Sequence, residues 1–350
     1  MREALQLARD AAAHGNEPFG AVLVKNGEIV AIPTETVYGL AANALESEAV
    51  KKIFLAKGRP ADNPLIVHIS DISSFSEYCF PTAEAYALAE KFWPGPLTMI
   101  LPKKDIVPDI VTAGLPSVAI RMPSHPIARK IIEFCGFPLA APSANISGKP
   151  SPTRAEHVIS DMTDNPHVSA IVDGGACECG VESTVVSLTG EHPCLLRPGA
   201  VTVEQLREIL PDLTVANAVL QSLPENEKAL SPGLKHKHYA PDAETVCLCG
   251  SVESAAKYIK ENANGEKTVV ICFDGEESVF SDCETIAYGS PEKPETLAEN
   301  VFDALRKADI SGCEKIFVRC APPDGAALAV YNRLLRASNF QVIKTEEKTW

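Results

Sequence analysis

Between residue 47 and about Pro211 the chain switches repeatedly between a helical and a strand-like hydrophobic period, and this limits the available folds more than any other feature. Apolar residues recur at helical spacing over 47–56 and 83–92, whereas 65–69, 97–101 and 118–121 read as short apolar strands. Alternation of this kind predicts an α/β domain whose helices cover a mixed sheet. Upstream, 3–13 has helical spacing that Gly15 and Pro18 interrupt, and a strand-like 21–24 follows. Asn26-Gly27 then reads as a hairpin turn into a strand over 28–32.

Periodicity fades from about Asn217 to Ala243, where Pro224, Pro232, Gly233 and Pro241 collect, which marks a linker. Beyond it, strands are predicted at 245–248, 268–272 and 315–319, and helices at 252–262, 296–308 and 326–337. These form a small Rossmann-like βαβ domain. No glycine-rich phosphate fingerprint follows its first strand, so no cofactor is expected there. The chain therefore divides into an atypical segment over 1–26, a larger domain over 27–215, a linker over 216–243 and a smaller domain over 244–350. A length of 350 residues with 45% hydrophobic content suits two cores.

A net charge of −14 opposes any role as a coat for nucleic acid, while leaving room for a local basic pocket. No stretch approaches the length of a membrane span and no secretory leader is visible, so a cytoplasmic protein without membrane contact is expected. Eleven cysteines are scattered singly. Cys177 and Cys179 flank Glu178, and Cys247 and Cys249 alternate along one predicted strand; a single intervening residue is poor spacing for one metal. Reduced, mostly buried thiols and no zinc are the expectation.

Three clusters carry polar chemistry. Lys57-Gly58-Arg59-Pro60, with Asn63 and then His68 at a strand end, sets two cations beside a glycine that lets backbone approach a ligand. A solvated helix end would use the same residues. Ala141-Pro142-Ser143-Ala144-Asn145-Ile146-Ser147-Gly148 leaves an apolar strand and can donate several hydrogen bonds to phosphate or ribose, or satisfy only itself. Glu182-Ser183-Thr184-Val185 and Arg197-Pro198-Gly199, together with Arg121, place further cations at strand ends, facing a cleft or forming surface ion pairs.

With Pro33-Thr34-Glu35-Thr36-Val37-Tyr38-Gly39-Leu40, these clusters stand in the order found in one family. The chain resembles the threonylcarbamoyl-AMP synthases from about Gly27 to Asn339, through Ser231-Pro232-Gly233 and His238-Tyr239-Ala240-Pro241. The resemblance implies a twisted open mixed sheet, YrdC-like, with the second domain of the long form, and a linker that closes over the site. It implies a nucleotidyltransferase that makes threonylcarbamoyl-AMP and pyrophosphate from L-threonine, bicarbonate and ATP with Mg2+, for tRNA modification by a downstream threonylcarbamoyl transferase complex. The threonine side maps onto Thr36, His68, Arg121, Ala141 and Ser183. The ATP side maps onto Lys57, Arg59, Asn63, Ser117, Ser143, Asn145, Ser151, Arg197, His238 and Tyr239. Lys57, Arg59 and Arg121 are the catalytic candidates, and no protein metal ligand is implied.

Residues 1 to about 26 depart from that pattern: Pro18-Phe19-Gly20-Ala21-Val22-Leu23-Val24 resembles the opening of zinc-dependent nucleoside deaminases. Neither the His-x-Glu nor the Pro-Cys-x-x-Cys motif of that chemistry occurs in the chain, so the segment reads as a borrowed helix and hairpin. The alternative function is an RNA-binding or ribosome-maturation module of the same fold, and a weak contact with tRNA or double-stranded RNA stands among the expected partners. The acidity of the chain speaks against it.

Overall fold

Two separate sheets organise the chain in a computed structural model that describes residues 24–221, 239–263 and 265–346. The larger holds β1 (Ile29–Ile32), β2 (Gly39–Asn43), β3 (Ile66–His68), β4 (Leu97–Pro102), β5 (Ser117–Arg121), β6 (Leu139–Ala140), β7 (Val168–Ile171), β8 (Thr184–Ser187), β9 (Cys194–Arg197) and β10 (Thr214–Val215). Their order is β10-β9-β8-β4-β5-β3-β6-β2-β1-β7, with parallel and antiparallel neighbours mixed. The smaller sheet is parallel throughout: β11 (Glu244–Cys249), β12 (Thr268–Cys272), β13 (Glu284–Ala287), β14 (Lys315–Arg319) and β15 (Val342–Lys344), ordered β13-β12-β14-β11-β15.

Among the described residues seven helices reach eight residues or more: α1 (Ser47–Lys57), α2 (Ala83–Phe92), α3 (Pro126–Cys135), α4 (Ala155–Met162), α5 (Val252–Asn262), α6 (Pro294–Ile310) and α7 (Ala327–Ala337). Local chemistry sets their ends. Thr82 and Ser251 accept backbone N–H bonds as N-caps of α2 and α5, and prolines open α3 and α6. Gly58 and Gly136 end α1 and α3 at φ of 63° and 73°, in the left-handed region.

The expected hairpin at Asn26-Gly27 is not present. β1 is already paired on both sides, antiparallel to β2 and parallel to β7, and Val24 and Lys25 are helical before a turn that Gly27 N closes on Val24 O. A polar turn dipeptide reports a chain reversal, not which strand lies beside it. The predicted helix over 3–13 and nearly all of the strand over 21–24 lie outside the described residues.

Each layer covers one side of a sheet. Val67, Met99, Leu101 and Ile120 pack against Val50, Ile53 and Phe54 of α1 and Leu88 of α2 in the main core. Strand alternation then turns Ile66, Ile100, Ala119, Val185 and Leu196 to the opposite face, where they form a small apolar cluster of their own. α6 and α7 bury residues all round: one side packs on the second sheet, and Asp303, Arg306, Asn332 and Arg333 on the other reach the first domain. Seven of the eleven cysteines are buried, and none is in a disulfide. Among the described residues no helix is long and apolar enough to cross a membrane.

Candidate active site

The cleft opens on the second face of the larger sheet. Registers His68↔Arg121 and Thr98↔Arg121 place three polar side chains of neighbouring strands on one face, and Ser183 joins them from the start of β8. Ile66 and Ala119, two residues further along β3 and β5, continue that face as an apolar floor.

At the polar end, Arg121 is 3% exposed. Its Nη1 donates to Thr36 Oγ1 at 2.9 Å and its Nε to Gly95 O at 3.3 Å. Glu35 Oε1 lies 2.7 Å from Nη2, as an ion pair outside hydrogen-bond geometry. Burial opposes the charge on Glu35, but Arg121 and backbone N–H groups at Ser124 and Glu35 outweigh it and hold its carboxyl below the usual glutamate value. A guanidinium has five N–H donors, so part of this fork remains for a second carboxylate. Burial, reinforced by Arg121, pulls the His68 imidazole down to about 3. Its Nδ1 sits 3.1 Å from Ile66 O, an acceptor only, so the neutral tautomer that carries the proton on Nδ1 makes this bond.

At the other end the Ser143–Asn145 turn lies against α1. Lys57, 2% exposed, donates to Ser143 O at 2.5 Å, Asn145 O at 2.8 Å and Asn145 Oδ1 at 3.2 Å, three acceptors for its three protons. Burial, with Arg59 adding to it, draws this ammonium well below the ordinary lysine value. Lys57 thus holds the turn instead of extending into open space. Arg59 differs: its Nε and Nη2 are buried with no hydrogen-bond partner among the described residues, and burial lowers the group to about 10. Arg197, also lowered to about 10 by burial, donates from Nε to Ser183 O at 3.0 Å and from Nη2 to Ser183 Oγ at 3.1 Å.

One pocket is lined by Thr36, His68, Arg121, Ala141 and Ser183, all five residues of the expected threonine side. Lys57, Arg59, Ser143, Asn145, Arg197 and Tyr239 of the expected ATP side line it too. Three others lie apart from the lining. Asn63 is buried with its Oδ1 unpartnered, and Ser151 stands behind the wall, its Oγ 2.5 Å from Glu182 Oε1. Ser117 shares the face of Arg121 but opens β5, about 13 Å along the strand at ~3.3 Å per residue. His238 lies outside the described residues.

Sequence reasoning missed two buried carboxylates at this site, Glu35 beside Arg121 and Glu182 in the pocket wall. A signal existed for the first. Glu35 is the only charged residue between Glu28 and Glu46, and a lone charge in an apolar run that must be buried needs a partner. Among the described residues no three His, Cys, Asp or Glu side chains are grouped so as to hold a metal.

Fold and site together define a two-sheet α/β protein with a buried, cation-lined cleft. The family model described as "Telomere recombination" matches residues 22–199, and that described as "Threonylcarbamoyl-AMP synthase, C-terminal domain" matches 201–339. The threonylcarbamoyl-AMP synthase of Bacillus subtilis is 46% identical over 327 residues, 93% of each chain. That of Pyrococcus abyssi is 44% identical over 335 residues, 93% of this chain and 95% of its own. The crystal structure of P. abyssi Sua5 complexed with L-threonine superposes with a TM-score of 0.85 at 44% identity, covering 93% of this chain and 94% of that one. The chain belongs to the threonylcarbamoyl-AMP synthase family, enzymes of the nucleotidyltransferase type.

Proposed function

We propose that this chain condenses L-threonine, bicarbonate and ATP into threonylcarbamoyl-AMP and pyrophosphate. The observation that carries the reading is the pairing, in one cleft, of a carboxylate-binding end at Arg121 with a phosphate-binding end at Arg59, whose two buried donors have no acceptor among the described residues. Arg121 takes the threonine carboxylate, and Thr36 and Ser183 offer hydroxyls beside it. The threonine amine adds to carbon dioxide with loss of a proton, or to bicarbonate with loss of water, to give a carbamate, whose oxygen attacks the α-phosphorus as pyrophosphate departs. No covalent enzyme intermediate is needed, so positioning and charge neutralisation supply the catalysis.

Arg59 is aimed at charge developing on the leaving pyrophosphate, and Lys57 keeps the Ser143–Asn145 turn in place while adding positive potential. Ile66 and Ala119 offer an apolar seat that suits a base. ATP enters as its Mg2+ complex. The cleft's carboxylates are already paired, so the ion keeps its phosphate and water ligands and no protein cage is required. Eleven thiols suit a reducing compartment, in keeping with a cytoplasmic enzyme that hands its product to a tRNA-modifying transferase.

The test is pyrophosphate release from ATP by the purified protein, with and without L-threonine and bicarbonate, and with serine as competitor. Release that requires both co-substrates is expected. Release indifferent to threonine would overturn the reading.

A further inference from the structure

The second domain reaches the pocket wall through apolar packing of Phe302 on Tyr239 and through one buried guanidinium. Arg333 projects from α7 with no exposed surface, and its Nε lies 2.9 Å from Glu182 Oε2. Nη2 donates to Glu182 O at 3.2 Å and Nη1 to Pro198 O at 2.7 Å. Glu182 and Pro198 are chain neighbours of Ser183 and Arg197, the paired residues that end β9 and lead into β8. One side chain thus ties two strand ends that both reach the cleft. The junction has no slack: a Cβ on Gly199 would lie 2.4 Å from Thr184 N and 2.7 Å from Glu182 O.

Charge points the same way. Glu182 is a buried carboxylate in a wall of cations, with its other oxygen bonded to Ser151 Oγ. Burial works against its ionisation, but Arg333 and then Arg197 hold its pKa below the glutamate value. Without Arg333, Glu182 loses the cation bonded to it and keeps only more distant positive charge from Arg197 and Lys57, so an under-neutralised carboxylate would face the triphosphate.

We infer that Arg333 is a positioning residue of the adenylation site: it neutralises Glu182 and fixes the ends of β8 and β9, so that Ser183 and Arg197 keep their places in the pocket wall. The inference rests on the synthase reading above. It is tested by steady-state pyrophosphate release and by hydrogen exchange of the backbone around 181–185 and 196–200, in the full chain and in Arg333→Met, Arg333→Lys, Glu182→Gln and the Glu182→Gln/Arg333→Met double variant. Arg333→Met should raise KM for ATP about tenfold or more while moving KM for threonine less. The double variant should be less impaired than the product of the two single effects, because the unpaired carboxylate has been removed. Should Arg333→Met fail to fold, Arg333→Lys keeps the charge without the fork and should show the same ordering at smaller size.

A KM for ATP within twofold of the parent in a folded Arg333 variant, or multiplicative effects in the double variant, would overturn the inference. If the parent protein itself releases no threonine-dependent pyrophosphate, the synthase reading fails and exchange alone decides. Faster exchange confined to the two segments in Arg333→Met sustains the clamp, and unchanged exchange sinks it.

Discussion

Replacing Arg59 with alanine separates ligand chemistry from folding more cleanly than any other change at this site. In the ligand-free protein Arg59 Nε and Nη2 bond to nothing among the described residues, and its Cζ sits 5.6 Å from the Phe54 ring centroid. The ring contact contributes about 0.5–1 kcal/mol, and relief of a buried, unmatched cation offsets part of that. The backbone bond from Arg59 N to Phe54 O does not involve the side chain. Ligand-free melting should therefore move by no more than about 3 °C.

With ATP bound the account changes. Two charge-assisted hydrogen bonds to phosphate are worth roughly 1.5–3 kcal/mol each, so their loss should lower kcat/KM by about 10²- to 10⁴-fold. The assay is threonine-dependent pyrophosphate release, set beside melting curves with and without saturating ATP, where the ATP-induced rise should largely vanish in the variant. Unchanged turnover would refute the assignment of Arg59 to phosphate. A large ligand-free loss of stability would refute the claim that its donors are unused by the fold.

Two further outcomes follow from the geometry. The His68 pKa is depressed to about 3 from 6.5, so the neutral ring is the folded form, and its contribution is whole above about pH 6.5 and declines as pH falls toward 3. Urea midpoints between pH 6.5 and 4.5 should drop by an amount on the order of 2 kcal/mol that His68→Gln removes, and parallel curves for the two proteins would contradict this. Gly180, at φ of 65°, leaves a built Cβ only 2.4 Å from Ala298 O and Glu299 Cα on α6, whereas Gly175, at φ of 83°, has nothing within 4 Å. Gly180→Ala should cost roughly 2 kcal/mol or more and open the domain junction to protease, against about 1 kcal/mol for Gly175→Ala; equal effects would show that strain alone decides.

What the sequence made legible divides by range. Local pattern was enough to place α2, α5, β12 and β14 end to end, and α1 to within one residue, because the helices bury one face at helical spacing and the two strands are short, almost wholly buried apolar runs. Two-residue strands such as β6 and β10 give no period to read, and they exist because neighbours supply the pairing, β2 and β3 on either side of β6 and β9 alone for the edge strand β10. The motif residues at 36, 57, 59, 68, 121, 143, 145, 183 and 197 do meet in one pocket, which their order along the chain could suggest but their spacing could not. Glu35 stood out as a lone charge in an apolar run, but its partner, like that of Glu182, was illegible for the same reason. Their partners Arg121 and Arg333 lie far along the chain, and no local pattern marks a pair formed only by tertiary folding.

The junction also decides how the chain could be divided or recombined. Asp161 takes Arg306 at 2.7 Å, Glu182 takes Arg333, and Val219 O accepts from Asn332, so each half holds the other's counter-charges in its interior. A cut between the two sheets would strand carboxylates on one fragment and guanidinium groups on the other, all on surfaces shaped for burial. The halves are therefore poor modules for exchange between relatives unless positions 161, 182, 306 and 333 travel together. An active enzyme reassembled from two separately made fragments would depend on those four side chains finding one another in solution.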